Sequence, residues 1–415
     1  MGNIIDITEK DSSNQIVANY SYRYDSLNQL IRENIKIVGF LEKTYVFEYD
    51  LHGNLRFKRE YEYTINTQTP TKLLGTTELK YKQTGWKDQL EEVIINGVTQ
   101  NITYDSIGNP INYRGSTFSW EGRQLVGATI NGVNYSFKYN DEGYRTEKVV
   151  GDKTIKYYLI EDRVIYETDG PNQIHYTYDH DDTLISLNVN GVEYFYIRNN
   201  QGDIIALANS TGSIVVQYFY DAWGNIINTK EFDSNGNPIA LNIANINPYR
   251  YRGYRYEQEF NLYYLNSRFY DPSIGRFINA DDAQILSMTQ GEILGHNLYA
   301  YCMNNPVMNV DPSGYKHWSG STRYNNIIGA FIALGLGVTA IGTLASIGAK
   351  ALLALGLKTV IKLILKYVSP VAMVYIQVSI GAIIGAFLYQ GYCVNYYGGI
   401  SVFRTKITLY SVWGG

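Results

Sequence analysis

Tyr220-Asp221-Ala222-Trp223-Gly224-Asn225 is one copy of a short unit: an aromatic residue, Asp, two variable residues, then Gly. Tyr49-Asp50-Leu51-His52-Gly53-Asn54 and Tyr104-Asp105-Ser106-Ile107-Gly108-Asn109 repeat it. Looser copies are Tyr81-Lys82 with Gly85, Tyr139-Asn140 with Gly143, and Arg198-Asn199 with Gly202. In Tyr24-Asp25 and Tyr178-Asp179 the glycine place is taken by Asn28 and Asp182. Gly, Asn and Asp are the residues that most readily take positive φ, and a hairpin turn needs one at a fixed place. The Asp side chain closes such a turn by accepting the amide two residues on. The aromatic residue then ends one strand, and an alternating run such as Asn225-Ile226-Ile227-Asn228 begins the next. Tyr218 with Tyr220, Tyr194 with Tyr196, and Phe47 with Tyr49 place aromatics two apart, on one strand face. One such dipeptide is an ordinary turn. Eight phased copies predict a train of antiparallel hairpins, in which the repeated Tyr and Asp are architectural and not catalytic.

Composition supports an all-β body and divides the chain. Its 415 residues allow more than one domain. The 40 tyrosines favour strands and the 38 glycines favour turns. All 39 Asp and Glu precede Tyr315, together with 27 of the 35 Lys and Arg. From Tyr315 to Gly415 there are eight basic residues and no acidic one, which marks a boundary and two kinds of partner. Cys302 and Cys393 are too few for a disulfide framework or a zinc site and read as packing residues. The opening MGNIIDITEKDSSN is polar and acidic, so no secretory signal peptide is expected.

Further along, Leu265-Asn266-Ser267-Arg268-Phe269-Tyr270-Asp271-Pro272 is followed by Gly275-Arg276-Phe277. Asn297-Leu298-Tyr299-Ala300-Tyr301, Asn305-Pro306 and Asp311-Pro312-Ser313-Gly314 come next. These runs and the repeats resemble the Rhs/YD-repeat proteins, with residues 247–314 resembling the Rhs-associated core. Repeats and core cover about three-quarters of the chain. The resemblance implies a teneurin-like YD shell of spiralling hairpins over 1–246, a plug over 247–314 and a variable effector region over 315–415. It also implies aspartyl self-cleavage after Tyr315, with Asp281 and Asp311 as the carboxylates: one activates water, the other, protonated, polarises the scissile carbonyl. The sequence departs from the family twice. Asp282 stands where Pro follows the first Asp, and Tyr315 stands where Leu follows the final Gly. A turn is the plain alternative for Asp311-Pro312-Ser313-Gly314. The body is also shorter than Rhs shells that close completely.

The tail has its own signature. Without Asp or Glu it lacks the ligands of a metal-dependent nuclease, the carboxyl pair of a glycosidase and the Glu of a zinc deaminase. His317 and Cys393 stand far apart as a Cys–His pair. The 26 residues between Arg323 and Lys350 carry no charge, and neither does the stretch from Tyr367 to Phe403. Both exceed the roughly 20 residues needed to span a bilayer, so apolar helices are expected at about 325–349 and 367–390. Gly381 and Gly385 form a GxxxG face of the kind that lets helices approach in lipid. Lys350, Lys358, Lys362 and Lys366 line one side of an intervening amphipathic helix suited to an anionic membrane surface. A solvated face on a soluble helical hairpin is the alternative.

The combination reads as a secreted or cell-surface polymorphic toxin of bacterial competition whose tail permeabilises a target-cell membrane. The expected partners are that membrane, a cognate immunity protein and other copies of the tail. Neither a cofactor, a metal nor a nucleic-acid partner is expected, and the only enzymatic step is self-cleavage. Two other readings stand beside it: a non-enzymatic adhesion protein anchored by its tail, and a soluble toxin acting on an intracellular partner.

Overall fold

The computed structural model describes residues 3–10, 14–180, 182–282 and 296–314, all within one compact unit, Met1–Ser319. Tyr315 and the tail, with its expected helices, lie outside the described residues, as do Lys350, Lys358, Lys362, Lys366, Gly381 and Gly385. Among the described residues no helix is long and apolar enough to cross a membrane.

Twenty-two strands, β1 (Asp6–Lys10) to β22 (Pro238–Ile239), form one antiparallel meander in which neighbours in sequence are neighbours in the sheet. In a meander successive turns fall on opposite rims. Each of the eight repeat copies joins an even-numbered strand to the next odd one. Asp25, for example, joins β2 (Ile16–Tyr24) to β3 (Leu30–Ile37), and Asp221 joins β20 (Ile214–Tyr220) to β21 (Ile226–Phe232). All eight therefore lie on one rim. Asn-Gly turns at Asn96-Gly97, Asn131-Gly132 and Asn190-Gly191 close the other, with both residues at positive φ as a two-residue hairpin turn requires.

The repeat turns take the geometry expected from their residues. Gly53, Gly85, Gly108, Gly143, Gly202 and Gly224, and their stand-ins Asn28 and Asp182, all have φ between 62° and 90°. Asp50 Oδ1 accepts the amides of His52 at 2.8 Å and Asn54 at 2.9 Å, and Asp105 and Asp221 do the same for their own turns. The copy at Tyr81 departs from the pattern. Lys82 has no side-chain acceptor, the turn widens to eight residues, and Tyr81 pairs with Leu90 instead of the residue six positions on.

The repeated tyrosines do more than end strands. Tyr49 donates its hydroxyl to the carbonyl of Leu30, the residue opposite Tyr24; Tyr81 donates to Leu55, the residue opposite Tyr49. Tyr24, Tyr139, Tyr178 and Tyr220 repeat the bond one hairpin back, at 2.7–3.0 Å. Six of the eight copies are thus latched to the chain before them by a phenol that has found a polar partner.

The meander curls until its ends meet through side chains. Phe40 packs on Phe219 with centroids 5.9 Å apart, Glu33 accepts the Ala222 amide at 2.8 Å, and Lys58 reaches Asp221 at 3.3 Å. After β22 a single helical turn, α1 (Ile243–Ile246), leads into a small antiparallel sheet: β23 (Arg255–Glu257), β24 (Leu262–Tyr264), β25 (Phe269–Asp271) and β26 (Arg276–Phe277). Tyr263, Tyr270, Phe277 and Tyr301 of this plug are fully buried and share one aromatic core with the shell.

Candidate self-cleavage site

The two motifs that stand out in the sequence are two sides of one cradle. Leu265-Asn266-Ser267-Arg268 is a tight turn, closed by the Leu265 amide on the Arg268 carbonyl at 2.9 Å, with Asn266 at positive φ. Asp311-Pro312-Ser313-Gly314 lies against it. Ser267 Oγ donates to the Ser313 carbonyl at 2.8 Å, and Asp311 Oδ1 accepts the Gly314 amide at 2.9 Å. Gly314 has φ +75°, and a Cβ there would stand 2.7 Å from Ser267 Oγ and 2.8 Å from the Leu265 carbonyl. Only glycine brings the chain this close to the turn.

Arg268 is the hub. Its Nη2 lies 2.9 Å from Asp281 Oδ2 and 3.1 Å from Asp311 Oδ2, so one nitrogen bridges both carboxylates. Nη1 donates to the Leu298 carbonyl at 3.1 Å, and Nε donates to the Gly314 carbonyl. The guanidinium lies 3.5 Å over the Phe277 ring. Asp281 and Asp311 are buried. Burial pushes the Asp281 carboxyl up to about 6; the Asp311 charge adds to the rise, and Arg268, the Asp282 amide and Arg123 restrain it. The Asp282 amide donates to Asp281 Oδ1 at 2.8 Å, a bond that the family's proline has no N–H to make. The Asp311 amide donates to the Tyr254 hydroxyl at 3.0 Å. The structure thus brings together the two carboxylates singled out in the sequence. Tyr315, and with it the carbonyl of the expected scissile bond, falls one residue beyond the described chain. Arg268 was not singled out, although a buried arginine between a polar turn and an aromatic run calls for a carboxylate partner.

The repeat rim of the shell positions this site. The Gly108 carbonyl accepts the Ala280 amide at 3.2 Å and the Tyr299 hydroxyl at 3.0 Å, while Arg123 Nη1 reaches the Ala280 carbonyl at 2.7 Å. Asn304 donates to the Gly53 carbonyl at 2.6 Å and Tyr263 to the Gly224 carbonyl at 2.8 Å. Three repeat glycines thus expose carbonyls that plug side chains read. Asp271 ties β25 to the shell through the Tyr113 hydroxyl at 2.6 Å and Arg114 at 3.0 Å. Glu257 is buried against Arg145, Lys148 and Arg255. Burial opposes its charge, but the three cations outweigh it and hold the carboxyl well below the usual range.

Cys302 is buried in the aromatic core, and burial pushes its thiol well up, with Asp311 adding to the rise. Cys393 and His317 lie outside the described residues. Among the described residues no group of three or more His, Cys, Asp or Glu is placed to hold a metal.

A curled hairpin meander whose repeat rim packs against a small aromatic sheet defines a YD-repeat shell. The teneurin YD-shell family model matches residues 1–307, and the chain belongs to that family. It is 34% identical over 303 residues to the tRNA3(Ser)-specific nuclease WapA of Bacillus spizizenii and 35% identical over 303 residues to the tRNA nuclease WapA of Bacillus subtilis. Each match takes in 71% of this chain and 12% of the relative, so the chain spans about an eighth of the length of these proteins. Human teneurin-4 is 22% identical over 314 residues, 69% of this chain and 10% of its own. Among solved structures, the TcdB2-TccC3-Cdc42 crystal structure shares the fold, with a TM-score of 0.51 at 18% identity over 74% of this chain and 17% of that one.

Proposed function

We propose that residues 1–314 are the carrier of a polymorphic toxin and that the carrier severs its own chain after Tyr315 to free the tail. The observation that carries this reading is the Arg268 bridge between Asp281 and Asp311, with the Gly314 carbonyl held by the same guanidinium. Asp281, whose carboxyl is raised to about 6, supplies the proton that polarises the scissile carbonyl. Asp311 accepts the proton of the attacking water. Water adds to the Tyr315 carbonyl carbon, the C–N bond to Lys316 breaks, and the proton passes to the leaving amine. An SDS gel of the purified chain beside an Asp311→Asn variant tests the step. Two bands from the wild type and one from the variant are expected. A single full-length band from the wild type removes the proposal.

The freed tail is assigned to a membrane. Its two long uncharged stretches, the Gly381/Gly385 face and the basic run Lys350, Lys358, Lys362 and Lys366 support this. Without Asp or Glu it lacks the ligands of a metal-dependent nuclease, and the WapA matches take in only 12% of each relative, so the tRNA cleavage in their names is not carried over. A cell making such a tail needs a cognate immunity protein, and the protein acts outside its producer, secreted or at the cell surface. Expression of residues 315–415 in the bacterial cytoplasm, with growth and membrane potential followed together, separates the readings. Arrest with depolarisation is expected. Harmless membrane localisation indicates an anchor, and arrest at an intact potential indicates a soluble toxin; either removes the pore.

A further inference from the structure

One shell turn beside the cleavage carboxylates departs from the repeat. β10 (Ser116–Glu121) meets β11 (Gln124–Ile130) on the repeat rim through two residues only, Gly122 and Arg123, between the paired Glu121 and Gln124. Gly122 has φ +58°, the left-handed place that one form of two-residue hairpin turn requires of its first residue. This turn has no Asp to close it. Instead Asn109 of the neighbouring repeat copy donates Nδ2 to the Gly122 carbonyl at 2.8 Å, so the two tips are tied together.

The two tips hold one residue of the plug between them. The Gly108 carbonyl takes the Ala280 amide at 3.2 Å, and Arg123 Nη1 donates to the Ala280 carbonyl at 2.7 Å. The peptide that joins Ala280 to Asp281 is thus gripped at its oxygen by the shell, and at its N–H by the Leu298 carbonyl of the plug at 3.0 Å. Ala280 is fully buried, and it packs with Leu298 and Tyr299 against Trp86 and Tyr104 of the shell. The groups that face Asp281 are Arg268 and Asp311 from the plug, the Asp282 amide and, from the shell, Arg123. The positive charge of Arg123 favours the ionised carboxyl.

We infer that Arg123 is a positioning residue through which the shell licenses self-cleavage: with the Gly122-Arg123 turn seated on Ala280, Asp281 stands at Arg268 beside Asp311, and without that contact the carboxylates lose their register. The inference rests on the cleavage reading above and adds the step that controls it. Arg123 and Ala280 are 157 residues apart, so the contact forms only once the meander has curled around the plug. Cutting then waits for a folded carrier, and the tail is not freed from a half-built one. A rim arginine that merely tied the plug down would affect stability and leave the ionisation of Asp281 alone.

The test uses the full chain made by cell-free synthesis, so that the uncut form is seen first. Timed samples are divided between an SDS gel, which reads cleavage, and brief protease digestion, which reads the folded shell. In the wild type, cleavage should follow the appearance of the resistant shell. Arg123→Ala should become resistant as fast yet cleave about tenfold or more slowly, because the carboxylate is misplaced. Arg123→Gln keeps an N–H for the Ala280 carbonyl but loses the charge, so the pH above which its rate falls should move upward. Arg123→Lys, which keeps donor and charge, should restore that pH. Cleavage ahead of the resistant shell, an Arg123→Ala rate equal to the wild type, or an unmoved pH profile in Arg123→Gln overturns this inference alone. A wild-type chain that folds and stays whole removes the cleavage reading and this inference with it. Should Arg123→Ala never become resistant, the profile of Arg123→Gln decides.

Discussion

The amide of Ala280 donates to the carbonyl of Gly108 across 3.2 Å, so the residue before Asp281 hangs from the tip of a shell hairpin. The repeat rim therefore does two jobs. It closes the hairpins, and it holds the plug in the register that brings Asp281 to Arg268.

That double use predicts unequal costs for two glycine substitutions of like conformation. Gly97 has φ +87° and open space where a Cβ would go; Gly108 has φ +88°, but its Cβ would meet Tyr299 Oη at 2.7 Å and the Ala280 Cβ at 2.9 Å. Gly97→Ala should cost about 1–2 kcal/mol for the backbone alone. Gly108→Ala should cost about 1–3 kcal/mol more for overpacking, and it should slow self-cleavage by displacing Ala280. Urea unfolding of both variants checks the first claim and band intensities on a gel the second. Equal losses would mean that the plug does not read this turn.

Glu257 is the anchor whose loss should be felt most in stability. Glu257→Gln removes one charge and leaves Arg145 and Lys148, both buried, without their shared carboxylate. A loss of about 3–5 kcal/mol is expected at neutral pH. The folded carboxyl is held below its unfolded value of 4.5, so the wild-type contribution is complete above that pH and is lost as pH falls below it. Wild type and variant should therefore differ widely at pH 7 and converge as the medium becomes strongly acidic. Denaturant midpoints across that range decide it, and a gap that stays constant with pH would refute the charge argument.

Self-cleavage should have an alkaline limb set by Asp281. If its proton is required, the rate falls about tenfold per pH unit above pH about 6. Asp282→Pro removes the amide that donates to Asp281 Oδ1 and so withdraws a contact that favours the ionised form. The Asp281 carboxyl then rises further, and the limb should move to higher pH. Timed gels across pH 5–9 measure both profiles; a limb that does not move leaves Asp281 without the acid role.

What was legible in the sequence was local. Asp221 and Gly224 sit three residues apart, and their chemistry fixes one turn wherever the pair occurs. The same unit at Phe232-Asp233-Ser234-Asn235-Gly236-Asn237 was equally readable and went unrecognised, yet Asp233 Oδ1 takes the amides of Asn235 and Asn237 just as the others do. Asp281 and Asp311 came from a resemblance of motifs, and the fold places them on one nitrogen. What was illegible was long-range. Nothing in the chain near Gly108 announces Tyr299, which lies 191 residues on. The latch from Tyr81 to Leu55 crosses a whole hairpin, and the seam between Phe40 and Phe219 depends on curvature accumulated over many strands; no short window encodes either.

Arg268 offers the sharpest separation of position from charge. Arg268→Lys keeps the positive charge but replaces a rigid fork by a single ammonium. One ammonium cannot meet Asp281, Asp311 and the carbonyls of Leu298 and Gly314 together, as the guanidinium does. The carboxylates keep a counter-charge, so the fold should survive, whereas Arg268→Met strands them and should cost about 3–5 kcal/mol. With Gly314 no longer gripped, the chain leaving the plug is displaced from the carboxylates, and a misplacement of about 1 Å is worth roughly a hundredfold in rate. Arg268→Lys should therefore melt near the wild type yet cleave at least about a hundredfold more slowly. Its alkaline limb should also move upward, because a poorly placed cation stabilises the Asp281 anion less. A purely structural arginine would change the melt and leave the pH profile where it was. Cleavage of Arg268→Lys at the wild-type rate would show that the bridge holds the plug together without positioning the bond.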